Sequence, residues 1–338
     1  MTRDSLIALA LGLVAAVAFV SATAGPLPMR LILFLVTPLP LLMAGLGWGV
    51  RACLIAGLAG AVVLAAFGPM VAAVFAVSQA VPAAVLSHLA MLSRPAASGP
   101  TSDSAQALNR EPTSAPAADP VAREWYPPGR LVIWAAILAA IPALIWTIVA
   151  DANSEDIKTA LTAALEAAFK AGSIEAPGGG PWTPEGIARI SSIVYAALPG
   201  GSAIAWMSSL LLTLWMAGRI MRSAGLLTRP WPDLASLEFP KSVALVFAAV
   251  SLAAILDGPA GIAGRAFFGA FLLAYLLLGL AIIHFITRGA NWRPFALWAL
   301  YTGLLFISGL VAVPVALIGL TDSLLQLRRR YGQPPGTT

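Results

Sequence analysis

The sequence contains few charged residues for its length. Charged side chains make up 10% of its 338 residues, whereas a soluble domain carries about 25%. The 15 acidic and 20 basic residues are too few to cover the surface of a soluble globular protein of this size. The low charge therefore excludes a soluble enzyme, and the 59% apolar content excludes a disordered chain.

Cysteine and histidine are also scarce. One cysteine, Cys53, excludes a disulfide framework within the chain, and with two histidines it disfavours a zinc site. The sequence has no GxSxG, Walker A, HExxH or CxxC motif, and it has no basic patch interleaved with aromatic residues. We therefore expect no enzyme activity, no catalytic residue, no metal or cofactor site and no nucleic-acid partner.

Long apolar runs dominate what is present. The mean hydropathy is +0.87, and a transmembrane helix needs about 20 mainly apolar residues. This pattern predicts an all-α, polytopic transmembrane helix bundle of about nine spans, with the lipid bilayer as its first partner. The predicted spans are 5–23, 28–47, 51–67, 69–91, 130–150, 191–218, 241–257, 266–287 and 295–319.

Two of these runs contain internal prolines that break the helical hydrogen-bond ladder. Pro38 and Pro40 lie in the second run, and Pro314 lies in the last run. We expect the second run to be kinked or irregular. Either of the two runs could be re-entrant rather than fully crossing.

Polar segments divide the chain into four regions. Residues 1–92 form a four-span region, and residues 130–327 form a five-span region. Between them, residues 93–129 contain seven prolines with many Ala and Ser residues, which predicts a disordered cytoplasmic linker. Residues 328–338 form a tail.

A second polar segment, within 151–190, has helical periodicity. Apolar residues recur at every fourth position, which predicts one apolar stripe on an amphipathic helix near 154–171. We expect this helix to lie outside the cytoplasm, on the membrane surface or over the mouth of the bundle. The stripe consists of Ile157, Leu161, Leu165 and Phe169.

The N-terminal run allows two interpretations. Arg3, the apolar stretch 6–20 and the Ala22-Thr23-Ala24 sequence resemble a cleavable signal peptide. Alternatively, the run is a retained first span that directs membrane insertion, because a second apolar run follows almost at once.

The distribution of Lys and Arg favours a cytoplasmic N-terminus. With that orientation the inner side carries 12 basic residues, and the outer side carries five before the tail. Nine spans place Arg328, Arg329 and Arg330 on the outer side, so the side of the C-terminus stays open. The predicted location is the bacterial cytoplasmic (inner) membrane.

Few ionisable residues fall within the runs, where they are costly and often functional. His284, Asp257 and Asp322 are the candidate ligand-binding or functional residues, with His284 first because histidine can change charge near neutral pH. Each could instead serve an interfacial or packing role. The 219–240 loop holds several arginines with Asp233, which indicates either a lipid-transferase interface or simple cytoplasmic anchoring.

Small residues recur at four-residue spacing on the first run. Ala8, Gly12 and Ala16 form a stripe that lets another helix approach closely. A similar stripe, Ala52 to Gly60, lies on the third run. The first stripe can pack within the chain or can bind a helix of a partner subunit.

Short motifs in both halves carry a family resemblance. Arg219–Leu226 precedes a loop with Pro and Trp, Gly279–His284 leads to a cationic end, and Gly319–Asp322 closes the last span. In the front half, Pro38–Leu41 and Gly49–Arg51 carry the same resemblance. Together they resemble the YybS-like family of bacterial membrane proteins, domain of unknown function 2232. The resemblance spans most of the chain outside 93–129 and 151–190.

That family distantly resembles, in fold, the substrate-binding S components of energy-coupling-factor vitamin transporters. The resemblance implies that Ala8, Gly12 and Ala16 dock a coupling subunit or another membrane subunit. Fold alone does not establish function. We expect a transport-associated component that binds a small molecule within the helix bundle. The alternative is a non-transporting membrane scaffold or envelope assembly factor.

Overall fold

The apolar runs fold as helices because a lipid bilayer leaves backbone groups no other hydrogen-bonding partner. The computed structural model describes residues 2–22, 26–95, 123–151, 154–172, 182–234 and 237–326. These residues are mostly helical, which confirms the predicted all-α class. The helices are α1 Arg3–Ser21, α2 Leu27–Val36, α3 Pro38–Trp48, α4 Val50–Ala65, α5 Pro69–Phe75, α6 Val81–Met91, α7 Pro128–Asp151, α8 Ser154–Gly172, α9 Pro184–Ser223, α10 Lys241–Ala254, α11 Gly258–Ile286, α12 Arg293–Phe306 and α13 Ser308–Leu325.

The described helices are consistent with about nine spans, as predicted. Six helical stretches are long and apolar enough to cross a membrane, and three shorter apolar helices, α4, α10 and α13, accompany them. The chain is therefore a multi-pass membrane protein. The six long stretches are Arg3–Ser21, Pro28–Trp48, Pro69–Met91, Pro128–Ala150, Pro184–Ser223 and Gly258–Ile286.

The second run is a nearly continuous helix despite its prolines. Helices α2 and α3 meet at Thr37, whose backbone angles are still helical (φ −50°, ψ −41°). Pro38 leaves the Phe34 carbonyl oxygen without its usual helical donor, and the Thr37 N–H approaches that oxygen at 3.4 Å, while the Thr37 hydroxyl donates to the Leu33 carbonyl oxygen at 2.7 Å. The stretch Pro28–Trp48 has 21 residues, which is enough to cross a bilayer.

The last predicted run, 295–319, is wrong as a single span. The helix breaks at Ile307 (φ −129°, ψ 45°), and the chain turns back so that Gly303 of α12 contacts the Val311 side chain of α13. Residues eight apart on one straight helix lie about 12 Å apart along the axis. Helix α12 is therefore a separate element from α13.

Helix α13 packs antiparallel on α11 through glycines. A Cβ added at Gly279 would overlap the carbonyl oxygen of Val315, and one at Gly319 would overlap that of Tyr275. The partner position on α11 falls as the position on α13 rises, so the two helices run in opposite directions. Helix α11 also packs against α7, α9 and α10, and it forms the centre of the back half.

A helical pair extends from one end of the bundle. Helix α8 packs against α9, and its predicted apolar stripe is half-buried there. Thr162 and Ser191 share a hydrogen bond of 2.9 Å, while Phe169 stacks on Trp182 at 4.7 Å between ring centroids. Helix α9 has 40 residues, about 60 Å, so it exceeds the roughly 30 Å hydrocarbon layer.

The two ends of the predicted linker are paired strands. Strand β1, Ser93–Pro95, pairs antiparallel with β2, Arg123–Trp125. Arg94 and Glu124 form an exposed ion pair of 2.8 Å across them. The remainder of the predicted linker, 96–122, lies outside the described residues, as does the tail from 327 onward.

Candidate functional site

A cavity of about 570 Å³ opens at one end of the bundle, a volume typical of small-molecule sites. The ends of α6, α7, α9 and α11 surround it, the loop 224–234 covers it, and α12 adds two side chains. We name this the Arg-rich end. Apolar residues form most of its wall: they include Leu131, Leu211, Leu214, Trp215 and Leu280.

Arg229 fixes the 224–234 loop over the cavity. One guanidinium nitrogen donates to the Ala90 carbonyl oxygen at 2.7 Å, and another donates to that of Tyr126 at 2.8 Å. Burial lowers the pKa of Arg229, but an arginine stays protonated in proteins. This side chain therefore joins the loop to the end of α6 and to the segment before α7.

Trp231 adds a second attachment for the loop. The guanidinium carbons of Arg219 and Arg222 on α9 lie 5.6 and 5.9 Å from the centroid of its ring. Distances of this size allow a cation–π attraction. The flanking Pro230 and Pro232 restrict the backbone, so this part of the loop is held against the last turns of α9.

An ion pair connects the loop to the turn that follows α11. Arg288 donates from Nη2 to both carboxylate oxygens of Asp233, at 2.8 and 3.0 Å. Both side chains are about half exposed, and such pairs contribute less than about 1 kcal/mol. The pair therefore positions the loop rather than stabilising the bundle.

His284 lies at the edge of the cavity and contacts α12. Its Nε2 is 2.8 Å from the hydroxyl oxygen of Tyr301. Both residues line the cavity. The hydrogen bond connects α11 to α12 at this edge, and the two side chains add polar atoms to a mainly apolar wall.

The charged residues on the cavity wall are mainly cationic. Arg229, Arg288 and Arg293 line it together with one carboxylate, Asp233. Among the described residues, no carboxylate lies within 4 Å of the Arg293 guanidinium. An apolar wall with a cationic edge suits a ligand that has an apolar body and a negative group.

The three ionisable candidates from the sequence do not meet. His284 lines the cavity. Asp257 is exposed at the start of α11, about 40 Å along that helix from His284. Asp322 is buried near the end of α13. Within the described ranges, no three His, Cys, Asp or Glu side chains lie close enough together to hold a metal ion.

Arg265 has a role in closing a turn. Its guanidinium donates to the carbonyl oxygens of Ala254 and Leu256 at 3.3 Å. The Ala254 carbonyl belongs to the last turn of α10, where carbonyls lack helical partners, and Leu256 lies in the turn that follows. The side chain thus connects α10 to α11 through backbone oxygens.

The small-residue stripe of α1 lies against α4. Ala8 and Ala16 are each 1% exposed, and a Cβ at Gly12 would lie 2.9 Å from the carbonyl carbon of Ala56. Gly60 also approaches the Gly12 backbone. The structure therefore places this stripe inside the chain, and docking of a partner subunit on it stays a prediction.

Several cavity residues were not singled out from the sequence. Arg288, Arg293 and Tyr301 come together through the turn after α11 and through the separate helix α12. Arg229 and Asp233 were noted only as part of a loop cluster. The sequence signal for these residues was the loop cluster itself, and simple cytoplasmic anchoring of the loop explained that cluster as well.

The family comparison agrees with the resemblance seen in the motifs. Residues 125–323 match a family described as predicted membrane protein (DUF2232). No curated protein and no solved structure matches the chain. The matched range contains α7 to α12 with most of α13, includes the 151–190 segment and leaves out the first four-span region. Because it covers more than half of the sequence, the chain belongs to the DUF2232 family of membrane proteins.

Proposed function

We propose that the protein is a transport-associated membrane component that binds a small molecule in the cavity at the Arg-rich end. The observation that supports this most is the combination of an apolar wall, a cationic edge and a volume of about 570 Å³. Pockets of this size and lining bury most of a small ligand.

The way the loop is attached supports binding rather than loose packing. Arg229 holds one side of the loop through two backbone carbonyls, and Arg288 holds the other through Asp233. These contacts keep the loop over the cavity instead of letting it fall into the apolar space. A site that is formed before the ligand arrives costs less ordering on binding.

The proposed orientation places this cavity on the cytoplasmic side of a bacterial inner membrane. It follows from the excess of Lys and Arg on the loops at this end. The sequence has no nucleotide-binding motif, so energy for transport would come from coupling subunits. In this proposal the chain binds and positions the ligand and performs no chemical step.

A scaffold function is the alternative, and the paired strands favour it. Strands β1 and β2 bring the two ends of residues 96–122 together next to the cavity end. A cytoplasmic or envelope protein could bind there, and stable protein partners without any bound small molecule would favour this function.

Two neighbouring leucines on α9 provide the test of ligand binding. Leu211 lines the cavity, whereas Leu212 is 48% exposed on the outer surface. Leu211→Trp fills cavity space, and Leu212→Trp makes the same change outside it. We expect native mass spectrometry to find a bound small molecule on wild type and Leu212→Trp but not on Leu211→Trp. The same mass on all three would contradict the proposal.

A further inference from the structure

We infer that the ligand of the cavity is an anionic amphiphile, with an alkyl or similar apolar chain and a phosphate or carboxylate group contacted by Arg293. This inference rests on the proposed function, because it names the ligand class of the same cavity. It depends on three features: an opening toward the bilayer edge, an excess of positive charge on the cavity wall, and one arginine that has no carboxylate partner among the described residues.

The apolar wall continues to the outer surface of the bundle. Trp215 on α9 and Leu234 in the loop both line the cavity, yet they are 50% and 55% exposed. In a membrane-spanning bundle, the outer surface near a helix end faces lipid chains and headgroups. A chain that lies among lipids can therefore enter the cavity from the side.

Two of the three cavity arginines already have partners. Arg229 donates to two backbone carbonyls, and Arg288 donates to Asp233. The carboxylate of Asp233 offsets one of three positive charges, so the wall keeps a net charge of +2. Arg293 is half-buried and lines the same wall, so it is the guanidinium best placed to bind an anion.

The position of Arg293 on its own helix is unfavourable for a positive charge. It is the first residue of α12, where the positive end of the helix dipole disfavours a positive side chain. An anion between the guanidinium and this end of the helix would remove that cost. Guanidinium groups bind phosphate and carboxylate oxygens through paired, charge-assisted hydrogen bonds.

The hydrogen-bonded pair His284 and Tyr301 provides further polar atoms at this edge. Both line the cavity with Arg293. With a neutral imidazole the bonded pair keeps one free donor, either the Tyr301 O–H or the His284 Nδ1–H, and that donor can bond to a second oxygen of the same anionic group. The apolar residues on α7 and α9 then surround the chain of the ligand.

The test uses the full chain in phosphatidylcholine nanodiscs with three probes. They are a bromine-tipped 12-carbon alkyl phosphate, the matching bromine-tipped alcohol and inorganic phosphate. Bromine at the tip of the alkyl probe quenches the fluorescence of tryptophans in the cavity. If the quenching is lost in Trp215→Phe, the signal comes from Trp215. Inorganic phosphate is added as a competitor, which separates a lipid-like source of the anion from a free one.

Variants at three positions test each part of the inference. Arg293→Gln removes the charge at the cavity, and Arg293→Lys keeps it. Arg51→Gln is the matched control, because Arg51 is exposed at the start of α4 and does not line the cavity. Leu211→Trp reports on the cavity itself.

We expect the alkyl phosphate to bind wild type about tenfold more tightly than the alcohol, with a loss of about tenfold in Arg293→Gln and none in Arg51→Gln. Arg293→Lys should recover most of the affinity, and inorganic phosphate should not compete at equal concentration. Suppose that Leu211→Trp abolishes binding, but the alkyl phosphate and the alcohol bind wild type equally, or inorganic phosphate competes fully. Either result would overturn the anionic amphiphile as the ligand class. If Leu211→Trp left all binding unchanged, the proposed function would fail as well.

Discussion

Replacing Gly12 by alanine tests how closely α1 and α4 approach each other. A Cβ at this position would lie 2.9 Å from the Ala56 carbonyl carbon and 3.0 Å from its Cα, and closer still to the carbonyl oxygen. Ordinary contacts begin at 3.4 Å. All three atoms are backbone, so no side chain can rotate out of the way, and the helices must move apart by roughly 1 Å.

The expected cost follows from that separation. Inserting one carbon into a well-packed contact costs about 1–3 kcal/mol. The neighbouring Ala8 and Ala16 also lose packing when α1 moves, because both are buried at the same interface. Alanine also gains up to about 1 kcal/mol of helix propensity over glycine at any helical position. We therefore expect the free energy of unfolding of Gly12→Ala to be about 1–3 kcal/mol lower than that of the same substitution at an uncrowded helical glycine, measured by denaturant titration of the purified protein in detergent with circular dichroism.

The control is Gly201→Ala on α9. Gly201 is also helical, but a Cβ there meets nothing within 4 Å, so alanine should be neutral or stabilise by up to about 1 kcal/mol. Equal unfolding free energies for the two variants would refute the close contact between α1 and α4. An unchanged stability together with loss of a copurifying membrane subunit in Gly12→Ala would instead assign the stripe to a partner.

Three further predictions concern the Arg-rich end. Arg229→Gln removes two charge-assisted bonds to backbone carbonyls, each worth about 1.5–3 kcal/mol, so hydrogen exchange in residues 224–234 should rise at least tenfold; unchanged exchange would contradict the anchoring role. Tyr301→Phe removes the bond to His284, and we expect faster exchange in α12 with little change in the unfolding free energy. Because α13 is antiparallel to α11, reporters fused after Arg288 and after Gln326 should report opposite sides of the membrane, and the same side for both would exclude a crossing by α13.

Most helices could be predicted from the sequence because spanning a bilayer requires about 20 apolar residues in each. The prediction of a single span at the last run was wrong because a hydropathy pattern does not detect a break between two consecutive apolar helices. The only local signal there is Ser308-Gly309, a weak helix-forming pair between Ile307 and Leu310. The glycine contacts that pair α13 with α11 depend on positions more than 30 residues apart.

The candidate site was less predictable for the same reason. His284 stood out as one of two histidines, but its partner Tyr301 is 17 residues away across a turn. The contacts of Arg229 with Ala90 and Tyr126 span 139 and 103 residues. Local periodicity carries no information about such contacts, so the loop cluster could not be placed over a cavity from the sequence.

The most direct test of the central proposal is an experimental structure of the natively purified protein in a lipid nanodisc. We expect density for an elongated ligand in the cavity, with its apolar chain beside Leu211 and Trp215 and its polar end within about 3 Å of the Arg293 guanidinium. A cavity that is filled by the protein's own side chains, or that contains no density above the solvent level, would contradict the proposal.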